Sequence, residues 1–124
     1  MQVIVNETDI TNYIVEGSYA MDQDDTYESW QDGNMKEHRI VVTKKIAGKF
    51  RVVCSNRANS ITLTNFLTLW NSAVENDVVT IGVYVLDTGT FEAVEAYYDI
   101  KNVKHDRAGD GSFIDVLEIS ITER

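Results

Sequence analysis

Apolar and polar residues alternate with a period of two along several stretches of this chain, which is the signature of half-buried strands. Val3-Ile4-Val5 is a short apolar run closed by the turn-like Asn6-Glu7-Thr8-Asp9. Residues 13–21 alternate, with Tyr13, Val15, Gly17, Tyr19 and Met21 on one side. Residues 37–44 alternate again, with His38, Ile40 and Val42 against Arg39, Val41 and Thr43. Lys45 to Lys49 interrupts the pattern, and Gly48 is the expected turn or bulge. Residues 50–54 resume it. A valine-rich run over 78–86 predicts a central strand, and Asp87-Thr88-Gly89-Thr90 predicts the turn to a partner over 91–100. Leu117, Ile119 and Ile121 alternate with Glu118, Ser120 and Thr122 in a last strand over 113–122.

The period changes once. Leu63, Phe66, Leu67, Trp70, Ala73 and Val74 fall on one helical stripe. Ser60, Thr62 and Asn59 are candidate caps at its start, and Asn76-Asp77 ends it. A helix of about 14 residues is too short to persist alone, so the stripe must pack on a sheet. Two stretches show no period and read as loops. Residues 22–34 are acidic and contain Tyr27 and Trp30; residues 102–112 are polar and contain Gly109-Asp110-Gly111. The expected fold is α+β and mainly β: two packed antiparallel sheets of about seven strands with one flanking helix, in a single domain over residues 1–124.

Composition adds limits. A chain of 124 residues holds one core. No apolar run approaches the roughly 20 residues of a membrane helix, and the first residues lack the pattern of a signal peptide. Cys54 is the single cysteine and sits in an apolar run, so a buried small hydrophobe is expected. The net charge of −9 is unevenly placed. Residues 1–34 carry eight acids and no base, residues 35–57 seven bases and one acid, and residues 58–100 six acids and no base. Phosphate repulsion argues against coating nucleic acid. Segregated charge suits docking of one copy on another, but it also fits a surface that folding mixes to neutrality. Tyr27 and Trp30 are likewise open to two readings, as anchors on a contact surface or as rings folded back onto the core.

No catalytic arrangement emerges. His38 and His105 have no acid and nucleophile placed near them in sequence, and a G-x-S-x-G motif is missing. Asp22-Gln23-Asp24-Asp25 starts like a calcium loop but has no glycine at its sixth position and no glutamate at its twelfth. A solvated acidic loop is the expected form. The glycines at 109 and 111 lack the lysine and helix of a phosphate loop. The expectation is a protein that is not an enzyme and uses no cofactor or metal.

A group of motifs runs through the chain: Asp9-Ile10-Thr11, an Asp-rich segment leading to Gly33-Asn34-Met35-Lys36-Glu37-His38-Arg39-Ile40, the basic Thr43-Lys44-Lys45-Ile46, the valine–tyrosine run over 80–85, Ala96-Tyr97-Tyr98-Asp99 and a terminal Glu123-Arg124. This layout resembles small phage and prophage proteins of Gram-positive bacteria. Its element order is similar to that of tail-tube and tail-hub (baseplate) proteins. The resemblance implies a structural tail or baseplate protein found in the virion and made in the host bacterial cytoplasm. It implies ring-forming copies, commonly six, with other tail proteins as partners and neither a membrane nor a specific nucleic-acid sequence. The long acidic loop would reach a neighbouring subunit, and sheet edges would join. Interface residues expected on this reading are Tyr27, Trp30, Lys36, Arg39, Lys44 and Lys45. The alternative is a non-enzymatic adaptor or assembly chaperone used in virion morphogenesis. A small hydrolase would need a pocket joining His38 or His105 to acids.

Overall fold

The computed structural model describes residues 3–31, 37–107 and 109–124, with the side chains of 24–31 and 37–44 not described. Within it eight strands and one helix follow in chain order: β1 (Val3–Val5), β2 (Thr8–Asp9), β3 (Ala20–Gln31), β4 (Glu37–Ser55), α1 (Leu63–Ser72), β5 (Val74–Glu75), β6 (Val78–Val85), β7 (Thr90–Arg107) and β8 (Phe113–Glu123). All pairings are antiparallel. The strands make one open sheet in the order β2-β1-β6-β7-β8-β4-β3, with β5 also on β6, in place of the two packed sheets expected.

The sheet makes its own interior by coiling. Val79, Ile81, Val83 and Val85 of β6, Phe50, Val52 and Cys54 of β4, and Leu117, Ile119 and Ile121 of β8 are all buried. Their even spacing puts each set on one face of its strand. Register aligns Phe50 with Ile119 and Ile119 with Ile100, so one row of side chains crosses three strands. The start of β3, at one end of the sheet, meets the end of β6: Leu86 N–H donates to the Met21 carbonyl at 2.9 Å, and the Tyr19 hydroxyl to the Tyr84 carbonyl at 2.5 Å. Burial pushes the Tyr19 phenol up to about 12, against the lowering effect of that hydrogen bond. Helix α1 covers part of this interior with Phe66 and Trp70, and Trp70 meets the Tyr98 ring edge-on at 5.4 Å. Thr62 is the cap, accepting from Asn65 N–H at 3.2 Å.

Three local expectations fail for identifiable reasons. Residues 13–21 are not one strand. A 3-10 turn over Thr11–Tyr13 and a break at Gly17, where φ is +79°, leave only a bridge between Ile14 and Val52 before β3 begins. Gly48 is not a turn, because β4 runs straight through it. It is instead a point of close approach, where an added Cβ would strike the Ala20 carbonyl oxygen and sit 2.7 Å from Met21 Cα. The two expected loops are strand for most of their length, since β3 continues to Gln31 and β7 to Arg107. Lys101 to Arg107 are all exposed, so no buried face imposes a period on them.

Candidate functional site

The β3–β4 pair carries most of the interface residues expected from the sequence. β8 accompanies β4 only from Ala47 to Ser55. Beyond that, residues 23–31 and 37–46 pair only with each other among the described residues, over nine residue pairs. At roughly 3.3 Å per residue this two-stranded arm is about 30 Å long. Its root is firmly held. Met21 and Ile46 are buried, Gln23 N–H donates to Asp87 Oδ2 at 3.2 Å, and Ile46 N–H to Glu123 Oε2 at 3.3 Å.

Register explains the segregated charge. The acidic strand lies beside the basic one in the same chain, with Asp24 opposite Lys45 and Asp25 opposite Lys44. Opposite-charge pairs across strands contribute about 0.2–1 kcal/mol each. The acidic segment therefore has its basic partner within its own chain rather than forming a free acidic loop. Tyr27 sits opposite Val41 beside an irregularity at Thr26/Tyr27, Trp30 opposite His38, and Arg39 opposite Ser29. Of the six expected interface residues, Tyr27, Trp30, Arg39, Lys44 and Lys45 thus share the arm, while Lys36 lies outside the described residues.

A second feature escaped sequence reasoning. A groove of about 620 Å³ runs along the outer side of β1, β6 and β7, bounded by the end of α1 and by β5. Its floor is shallow because Gly82 and Ala93 face each other across β6 and β7. The Phe91 ring lies over Gly82, its Cζ 2.5 Å from where a Cβ would stand, and remains 47% exposed. Asn6 Nδ2 donates to Ser72 Oγ at 2.8 Å and ties the β1–β2 turn to the helix end. Two tight turns border the groove. Asn6-Glu7 and Asn76-Asp77 both have positive φ at each residue, the form that matches strand twist in a two-residue hairpin. The charged residues lining the groove are Glu7 and Glu75, both exposed. The only sequence signal was a glycine inside the valine-rich run.

His105 has an acid partner that sequence spacing did not reveal. A bulge between Asn102 and Lys104 lets both Asn102 and His105 reach Asp115 on β8. Asn102 Nδ2 donates to Asp115 Oδ1 at 3.0 Å, and His105 Nδ1 lies 2.6 Å from the same oxygen. Asp115 is only 6% exposed. Burial alone would raise its carboxyl, but the hydrogen bonds from Asn102 and His105 outweigh this and hold it below the usual range. The His105 ring stacks on Phe113 at 5.8 Å, and the Arg107 guanidinium stands 5.9 Å from the Phe113 centroid. Cys54 is the Cα partner of Asp115. Its thiol is fully buried and pushed up to about 11, by burial first and by the Asp115 charge second. It is therefore not poised as a nucleophile. Among the described residues no hydroxyl or thiol hydrogen-bonds to His105, and the groove is lined by other residues. His38 lies on β4 within the arm.

Among the described residues no group of three or more His, Cys, Asp or Glu could hold a metal, and no helix is long and apolar enough to cross a membrane. No protein-family model and no curated protein matches the chain. Among solved structures it is similar to the crystal structure of the SPP1 Dit protein, described as a paradigm of the hub adsorption apparatus in phages that infect Gram-positive hosts, at a TM-score of 0.38 and 9% identity. The similarity covers 99% of this chain and 49% of that one, so the chain spans about half the length of its structural neighbour.

Proposed function

We propose that this protein is a structural subunit of a phage tail or baseplate that assembles with copies of itself, without enzymatic activity, through its β3–β4 arm and its open sheet edges. The arm is the observation that carries the reading. A two-stranded ribbon is at best marginally stable in water, because it lacks a third layer on which to bury its apolar residues. Nine residue pairs of such ribbon, containing Tyr27, Trp30, Ile40 and Val41, are what a chain needs to reach another surface. Strands β2 and β3 stand at the two ends of the sheet, and beyond the hydrogen bonds that Met21 and Gln23 make at its root, β3 has no strand on its outer side among the described residues. The resemblance of the motif layout to phage and prophage proteins is what supports the tail setting.

Sedimentation velocity over a concentration series tests the assembly. The comparison is a variant in which residues 26–43 are replaced by Asn-Gly, which closes the ribbon with a two-residue turn. The full chain is expected to form larger species as concentration rises, and the shortened chain to stay monomeric while keeping the circular dichroism of a folded β protein and a cooperative unfolding transition. A full chain that stays monomeric throughout, alone and with other tail proteins, overturns the proposal. Mass spectrometry of purified particles separates a subunit, which is present, from an assembly chaperone, which is absent.

A further inference from the structure

We infer that the groove beside Phe91 is the seat for the basic strand of a second copy's arm; this rests on the self-assembly reading above. The groove sets three requirements for its occupant. Its floor is low at Ala93, beside the Phe91 ring that lies over Gly82, which admits an extended segment packed against that ring. Its walls include Ile4, Val74 and the half-exposed Phe91, which reward aliphatic side chains. Its charged rim consists of Glu7 and Glu75 alone, which favours cations. The adjoining cleft does hold Arg124, but that side chain is paired with Glu95 at 3.9 Å.

One segment of this chain meets all three. Residues 37–46 read Glu-His-Arg-Ile-Val-Val-Thr-Lys-Lys-Ile, with four aliphatics and three bases against one acid. They form an extended strand whose edge away from β3 has no partner strand among the described residues. The other strand of the arm carries Asp24, Asp25 and Glu28 and no base, so the rim repels it. Charge therefore selects which strand of the ribbon enters. The contact is head-to-tail, arm of one copy to groove of the next, and such contacts generate rings or open filaments rather than closed two-fold dimers.

Charge reversal tests this in both directions. Glu7 and Glu75 are exposed, so the Glu7→Lys/Glu75→Lys variant should keep its fold, checked by circular dichroism. Its self-association is expected to weaken by about tenfold or more, as is that of Lys44→Glu/Lys45→Glu. Combining all four changes in one chain should restore association, and so should mixing the two double variants, because each one's arm is opposite in charge to the other's groove and alternating copies can grow. Groove reversal that leaves association unchanged, while removal of the arm abolishes it, overturns the seat but spares the assembly reading. Failure to recover association also overturns it, with the four-fold variant carrying Asp24→Lys/Asp25→Lys as well so that the arm's own cross-strand pairs stay opposite in charge. A wild-type chain that never associates removes the assembly reading itself.

Discussion

Gly48 shows how one residue decides where the arm can begin. Replacing glycine with alanine inside a strand ordinarily gains about 0.5–1 kcal/mol, because the unfolded chain loses freedom. Here the added methyl would meet the Ala20 carbonyl and the Met21 backbone, neither of which is the end of a flexible side chain. Overpacking of this kind costs about 1–3 kcal/mol, so the clash outweighs the gain. Gly48→Ala is expected to destabilise the protein by about 2 kcal/mol. Gly109→Ala, where nothing lies within 4 Å, should be close to neutral. Urea unfolding midpoints of the two variants check the contrast, and equal midpoints would contradict the close approach. The sequence showed a glycine at 48, but a turn and a close approach leave the same letter. Only the close pairing of β3 with β4 at Met21 and Gly48 distinguishes them. Asp115 and His105 were unreadable for a related reason: ten residues apart in sequence, they meet through hairpin register and the bulge after Asn102.

Elements with one buried face could be read, and the acidic strand of the arm could not. Strand β8 and the inner side of β6 alternate because each has a core face, and α1 carries its helical stripe to Phe66 and Trp70. The arm gives no such signal over residues 22–31, where Asp, Gln and Glu replace the alternation that burial would impose. The same property governs its stability. The root shares hydrogen bonds with Asp87 and Glu123, while the outer pairs have no third strand beside them among the described residues. Backbone amides of residues 24–31 and 37–45 should therefore exchange with deuterium faster than those of β6 and β8 in dilute solution, by about a hundredfold or more. Their protection should rise with protein concentration as the arm finds a second copy. Protection in dilute monomer equal to that of β8 would mean the arm is stabilised within its own chain.

For the whole molecule, the acid limit of stability is set by how its carboxylates are held. With a net charge of −9, lowering the pH from neutrality first relieves self-repulsion. Below that range the carboxyls held down in the folded state must take up protons. Asp9 and Asp110 are lowered by hydrogen bonds from Thr11 and Ser112, but both are exposed. Asp115 is the covered one, with Asn102 and His105 donating to it at the junction of β7 and β8. Its folded value lies below its unfolded value near 4, so the unfolded chain binds the proton first as pH falls. The stability it contributes is complete above about pH 4 and is lost as pH drops through the lower folded value. Asp115→Asn removes that dependence together with the charge-assisted hydrogen bonds. The variant is expected to be about 2 kcal/mol less stable than wild type at pH 6. The gap should narrow below pH 4, where the wild type loses what the variant never had. Urea unfolding at a series of pH values reads both quantities, and a gap that stayed constant from pH 6 to pH 3 would show that Asp115 does not anchor the β7–β8 end through its charge.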